Sequence, residues 1–163
     1  MVVFNNFISM DYLYKIALEE GEGFGTAYEY FTKIKLLKRL LRGKQIESIL
    51  IAGLPEKYGF GLDLFILAQN YKSRIFIIDD RREVIDKASK LITSLKQKNL
   101  LLLDKVEFKK INAWGEFSPP KKFSLVVSSG MIQRISNKER TNYVDLLCAA
   151  ADDVVIFAPN AGN

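Results

Sequence analysis

Ser48-Ile49-Leu50-Ile51-Ala52-Gly53-Leu54-Pro55-Glu56-Lys57-Tyr58-Gly59-Phe60-Gly61, and then Arg74-Ile75-Phe76-Ile77-Ile78-Asp79-Asp80, are the residues whose reading decides the fold. The first run is a strand with a glycine-punctuated exit, and the second is a strand that ends in acid. Residues 62–70 between them can form a helix. Neither apolar run alternates with polar residues, so both faces of each strand are covered, which predicts a parallel sheet inside an α/β layer fold. In such sheets ligands bind beyond the carboxyl ends of the strands, where strand order reverses. Glycines at the first exit let backbone approach a ligand, and an acid at the second accepts hydrogen bonds from ribose hydroxyls. The layout suits a nucleoside. The plainer alternative leaves Gly53, Gly59 and Gly61 as turn residues, and Asp79 and Asp80 as a polar strand end or helix cap.

The rest of the chain extends the same pattern. Residues 10–20 predict a short helix, broken by Gly21-Glu22-Gly23-Phe24-Gly25. Thr26 and Glu29 have capping-box spacing for a second helix that ends at Gly43. Beyond Asp80, residues 82–98 predict a helix whose inner side carries Val84, Ile85, Ala88, Leu91, Ile92 and Leu95. Strands follow at 106–111, 123–128 and 154–158, and Ser136 is placed to cap a helix over 137–150. The loop at 112–122 carries Trp114, Pro119 and Pro120. Strands alternating with helices predict a doubly wound, mostly parallel α/β sheet with helices on both faces. The expected organisation is a single domain over 1–163, with an N-terminal helical arm (1–45) ahead of a Rossmann-like core (46–163).

Composition narrows the chemistry. The 163 residues are 48% hydrophobic and 26% charged, ordinary for a globular domain. No apolar run is long enough for a membrane span and no signal peptide is evident, so a cytoplasmic protein without a membrane partner is expected. Cys148 is the single cysteine and lies in an apolar helical run, which predicts a buried, inert thiol. There is no histidine, which removes the commonest general base and excludes Ser-His-Asp and Cys-His mechanisms within this chain. No metal site is expected. The net charge is +5, and Lys33, Lys35, Lys38, Arg39, Arg42 and Lys44 fall in one stretch without an acid. The plainer reading is the solvated face of a helix whose inner face carries Phe31, Ile34, Leu37 and Leu41; the other is an RNA-binding strip over 33–44.

Taken together, these junctions resemble the class I S-adenosylmethionine-dependent methyltransferases over most of the chain. The turn from Gly53 to Gly61 falls where that family has its first motif, and Asp79 matches its ribose-binding acid. Ile111-Asn112-Ala113-Trp114 falls where the family faces the adenine. Phe123-Ser124-Leu125-Val126-Val127-Ser128-Ser129-Gly130 is similar to its fourth strand and exit, and Val155-Ile156-Phe157-Ala158-Pro159-Asn160 to its fifth. The resemblance implies S-adenosylmethionine as cofactor and a methyl acceptor, a small molecule ahead of RNA. It implies a cofactor site drawn from Gly53, Leu54, Pro55, Gly59, Gly61, Asp79, Asp80, Asn112, Ala113, Trp114, Ser128 and Ser129. It also implies a sheet in the order 3-2-1-4-5, with no counterpart here for the family's last two strands; the exposed fifth strand is then an edge at which a homo-oligomer can form.

Three positions depart from the family. Ile51 stands two before the first glycine where an acid is usual, Asn112 replaces the adenine-site acid, and Ser124 replaces an acid on the fourth strand. A noncatalytic methyltransferase-like binding or assembly module is therefore an alternative. An NAD-dependent oxidoreductase is a further one, although Gly53, Gly59 and Gly61 miss the G-x-G-x-x-G spacing.

Overall fold

The computed structural model describes residues 9–55, 73–101, 105–119 and 121–158. The helix expected at 62–70 lies outside them, as do Glu56, Gly59, Gly61, Pro120, Pro159 and Asn160. Helix α1 (Met10–Glu19) starts on Ser9, whose Oγ accepts the Tyr12 N–H at 3.2 Å and so meets a first-turn donor that has no partner within the helix. Helix α2 (Phe24–Leu40) begins earlier than the expected capping box, with Gly23 as its N-cap. Thr26 is already helical; its hydroxyl donates to Glu22 Oε2 at 3.2 Å, while Glu29 pairs with Lys33 one turn on.

The sheet is built from β1 (Ser48–Ala52), β2 (Arg74–Asp79), β3 (Val106–Lys110), β4 (Leu125–Ser129) and β5 (Val154–Phe157). Between them come α3 (Arg82–Gln97), a 3-10 turn (Trp114–Glu116) and α4 (Arg140–Ala150). Every pairing is parallel and the order is β3-β2-β1-β4-β5, so the chain reverses direction across the sheet between β1 and β4. The unbroken apolar runs are explained by their two sides. Ile49, Ile51, Ile75, Ile77, Leu125 and Val127 face one core with α1, α2 and α3. Leu50, Ala52, Ile78 and Val126 face the other, with Trp114 and residues of α4. Each fully buried aliphatic side chain contributes about 1.5–3 kcal/mol, so exposing either face would be costly.

Several expectations are corrected. Strand β4 starts at Leu125, because Phe123 makes only an isolated bridge to Ala151 and the Ser124 hydroxyl accepts the Glu47 and Ser48 N–H groups at 3.1 and 3.3 Å. Helix α4 starts at Arg140, with the Ser136 carbonyl accepting the Glu139 and Arg140 N–H groups in the preceding turn. Cys148 is exposed rather than buried, since it sits on the side of α4 away from Leu146, Leu147 and Ala150. Lys33 is buried rather than solvated, at 8% exposure. Among the described residues no helix is long and apolar enough to cross a membrane.

Candidate functional site

The strand order makes the carboxyl ends of β1, β2 and β4 the place to look. Gly53 leaves β1 at φ +84, a left-handed conformation that side chains resist, and its N–H donates to the Ile78 carbonyl at 2.8 Å. That turn aims the Leu54 N–H at Asp79 Oδ2, 2.8 Å away. Asp79 is fully buried at the end of β2. Its Oδ1 accepts from the Arg81 backbone N at 2.9 Å and from Arg81 Nε at 3.0 Å, and its Oδ2 also accepts from Arg81 Nη2 at 3.1 Å. Arg81 Nη2 donates as well to the Leu54 carbonyl at 2.7 Å. A carboxylate offers about four acceptor positions. Those of Asp79 are filled by Leu54 and Arg81, which makes the buried charge tolerable and ties the β1 exit to the β2 exit.

On the other face of the sheet, the segment following β4 crosses the same turn. Met131 is buried against Gly53 so closely that a Cβ there would lie 2.2 Å from its Cε and 2.5 Å from its Sδ. Arg134 Nη2 donates to Asp80 Oδ1 at 2.9 Å, and the guanidinium carbon lies 5.9 Å from the centre of the Trp114 ring. Burial, the largest single influence, raises the Asp80 pKa, but the hydrogen bond and charge of Arg134, together with a side-chain hydrogen bond at Asp79 and a backbone one, hold the carboxyl below its ordinary range. Trp114 meets Tyr143 edge-on at 4.9 Å. The Tyr143 phenol donates to the Ala52 carbonyl at 2.7 Å, leaving its oxygen to accept from Ser128 Oγ at 2.6 Å. Burial pushes that phenol up, the largest influence on it.

Ser129, one residue beyond Ser128, points to the opposite side because strand side chains alternate. There its Oγ accepts from Lys33 Nζ at 2.8 Å. Lys33 also pairs with Glu29, and its ammonium lies 5.6 Å from the centre of the Phe157 ring at the end of β5.

Of the residues expected to form a cofactor site, Gly53, Leu54 and Asp79 are in direct contact, and Arg134 joins Asp80 to Trp114. Pro55 is half-buried, with its Cβ 3.5 Å from where a Cβ on Gly130 would stand. Asn112 is exposed and its Oδ1 accepts from Lys110 Nζ at 3.4 Å; Ala113 beside it is half-buried and extended. Ser128 is engaged with Tyr143, on the face away from Asp79. Gly59 and Gly61 lie outside the described residues. Sequence reasoning did not single out Arg81, Met131, Arg134 or Tyr143. It placed Lys33 on the solvated face, although Tyr30, Lys33 and Leu37 share a helix side by their spacing of three and four. Among the described residues no group of acids and cysteine is arranged to hold a metal ion.

No protein-family model matches the chain, and no curated protein matches it in sequence. Solved structures do share its fold. Magnesium protoporphyrin IX methyltransferase of Synechocystis PCC 6803, solved with S-adenosylmethionine bound, superposes with a TM-score of 0.59 at 14% identity, over 98% of this chain and 65% of its own. PKMT2 of Rickettsia typhi, solved with AdoHcy, gives a TM-score of 0.51 at 21% identity, over 66% of this chain and 19% of its own. A putative zinc-dependent alcohol dehydrogenase of Rhodobacter sphaeroides gives 0.50 at 12% identity, over 73% of this chain and 43% of its own. The chain thus spans between a fifth and two thirds of the length of these proteins. It has the Rossmann-like fold of the class I methyltransferases, and at these identities the likeness carries the fold, not the chemistry.

Proposed function

We propose that the chain is an S-adenosylmethionine-dependent methyltransferase domain that binds the nucleoside across the ends of β2 and β1. The observation that carries this reading is the buried Asp79 carboxylate, held one strand away from the left-handed Gly53 turn at the point where strand order reverses. The residues present fit the cofactor in kind. A carboxylate suits a ribose diol, a glycine exit lets backbone come close, and Asn112 with Ala113 offers an amide and a small side chain to an adenine edge. One group competes for the place. The Arg81 side chain supplies two of the bonds to Asp79, so a ribose enters by exchanging its two hydroxyl donors for Arg81 Nε and Nη2. The Arg81 side chain is 19% exposed and has a path to solvent.

When bound, S-adenosylmethionine supplies an activated methyl; the chain's part is to bind and orient it, which needs no histidine. The acceptor is read as a small molecule. RNA is the alternative, through the exposed Lys35, Lys38, Arg39, Arg42 and Lys44 at the end of α2 and just beyond it. Two observations favour a second reading, a noncatalytic binding module: Ile51 is locked in the core where an acid is usual, and the Asp79 acceptor positions are already filled.

Calorimetric titration with S-adenosylhomocysteine, with NAD as the control, tests the proposal. Saturable binding of the former alone is the expected result. Binding of NAD alone would move the chain to the oxidoreductases. No binding of either by wild type or by Arg81→Ala would leave the noncatalytic module.

A further inference from the structure

We propose that Lys33 is an anion-binding residue on the acceptor side of the crevice, receiving the carboxylate or phenolate of a small organic acceptor in place of Glu29. The inference rests on the methyltransferase reading. It starts from an anomaly in α2, whose other buried side chains are all uncharged: Thr26, Ala27, Tyr30, Ile34 and Leu37. An ammonium is costly to bury, and an apolar side chain would fill the same place against the sheet. A lysine there needs a reason other than packing.

Its surroundings supply one. Lys33 Nζ has three donors. One reaches Ser129 Oγ at 2.8 Å, where β4 ends, and one is taken by Glu29. The Phe157 ring lies 5.6 Å away at the end of β5. Lys33 and Asp79 lie on the same side of the sheet, at the ends of β4 and β2, with the β1 exit between them. Two strand spacings separate those ends, about 10 Å. A nucleoside held by Asp79 therefore leaves Lys33 across the switch point from it, two strands away.

The partner of Lys33 is easily exchanged. The Glu29 side chain is 43% exposed, against 10% for Lys33, so a rotation of Glu29 into water uncovers the ammonium without moving α2. The incoming group must carry the same charge to replace it, which selects an anion over a neutral isostere. It must also be small, because so enclosed an ammonium does not meet a phosphate chain; the exposed cations from Lys35 onward are the ones a polyanion would reach. An aromatic acid has the further advantage of the Phe157 ring beside it.

The test uses benzoate and benzamide, alike in shape and different in charge, titrated into the full chain with and without saturating S-adenosylhomocysteine. Benzoate is expected to bind at least about tenfold more tightly than benzamide, a difference of about 1.4 kcal/mol. Glu29→Gln, a change at an exposed side chain, is expected to tighten benzoate severalfold by removing the resident competitor. Lys33→Met, which keeps the volume of the buried stem, is expected to abolish the preference for benzoate while leaving S-adenosylhomocysteine binding unchanged. Equal binding of the two probes, an unchanged preference in Lys33→Met, or no benzoate binding even in Glu29→Gln would overturn the assignment. Failure of S-adenosylhomocysteine to bind to wild type and to Arg81→Ala alike, with benzoate selectivity intact, would instead overturn the methyltransferase reading and leave the anion site standing.

Discussion

At the scale of single residues, the ends of the central strands are held by pairs of opposite charge. Arg81 is the clearest case. Its guanidinium neutralises a carboxylate with no exposure, and removing it leaves that charge buried and unpaired. Arg81→Ala is therefore expected to destabilise the fold by about 3 kcal/mol, read by urea unfolding. The same change should tighten S-adenosylhomocysteine by about tenfold, because the ribose no longer has to displace two charged hydrogen bonds. Opposite signs in the two measurements identify a displaced competitor; weaker binding in Arg81→Ala would make Arg81 a ligand contact instead. Gly53 makes a second residue-scale prediction. Alanine there meets both a positive φ and the Met131 side chain. Gly53→Ala should cost about 1–3 kcal/mol. Pairing it with Met131→Ala should recover the steric part and leave the backbone part, which a double-mutant cycle separates.

At the scale of elements, the sequence makes the strands far easier to read than the contacts between their ends. Strands β1 and β2 are legible because a run apolar on both faces has few other uses in a chain of this size, and both occur where the runs lie. Helix α3 is legible from its one-sided pattern; Val84, Ile85, Ala88, Ile92 and Leu95 are buried as the period demands. Helix starts are harder, because caps compete locally. Thr26 satisfies the spacing of a capping box, yet its hydroxyl has a partner in Glu22, and Gly23 begins the helix without a side-chain cap. The site is legible only in outline. Asp79 and Gly53 announce themselves at strand exits, but nothing in the order of residues says that Arg134 spans from the β4 exit to Asp80, because that contact joins positions 54 residues apart. This latch is partly exposed, so Arg134→Ala should cost no more than about 1 kcal/mol. It should also return the Asp80 carboxyl toward its ordinary pKa, which carboxyl-resolved NMR titration measures directly.

At the scale of the whole molecule, stability should depend on pH at both ends for identifiable reasons. On the acid side, Asp80 is held below its unfolded pKa, with Arg134 the first of the groups that lower it. The native state therefore binds fewer protons than the unfolded chain as pH falls through the ordinary carboxylate range, about 4. The stabilisation from this group is full above that range and is lost as pH drops through the folded pKa. On the alkaline side, burial raises the phenols of Tyr143 and Tyr12. The unfolded chain then releases their protons first, near pH 10, while the native state keeps them. Their contribution is complete below that pH and declines as pH rises, by up to about 1.4 kcal/mol per pH unit for each phenol still protonated in the fold. Tyr143 shares its hydroxyl with Ala52 and Ser128 at the junction of β1, β4 and α4, so its ionisation would undo contacts on both central strands. Tyr143→Phe is expected to lower stability at pH 7 by about 1–3 kcal/mol, since the buried Ala52 carbonyl and Ser128 hydroxyl lose their partner. It should also flatten the decline above pH 10, because only the weaker dependence on Tyr12 remains. Urea midpoints measured across the pH range decide the matter: an alkaline slope identical in wild type and Tyr143→Phe would mean that the phenol leaves the core before it ionises.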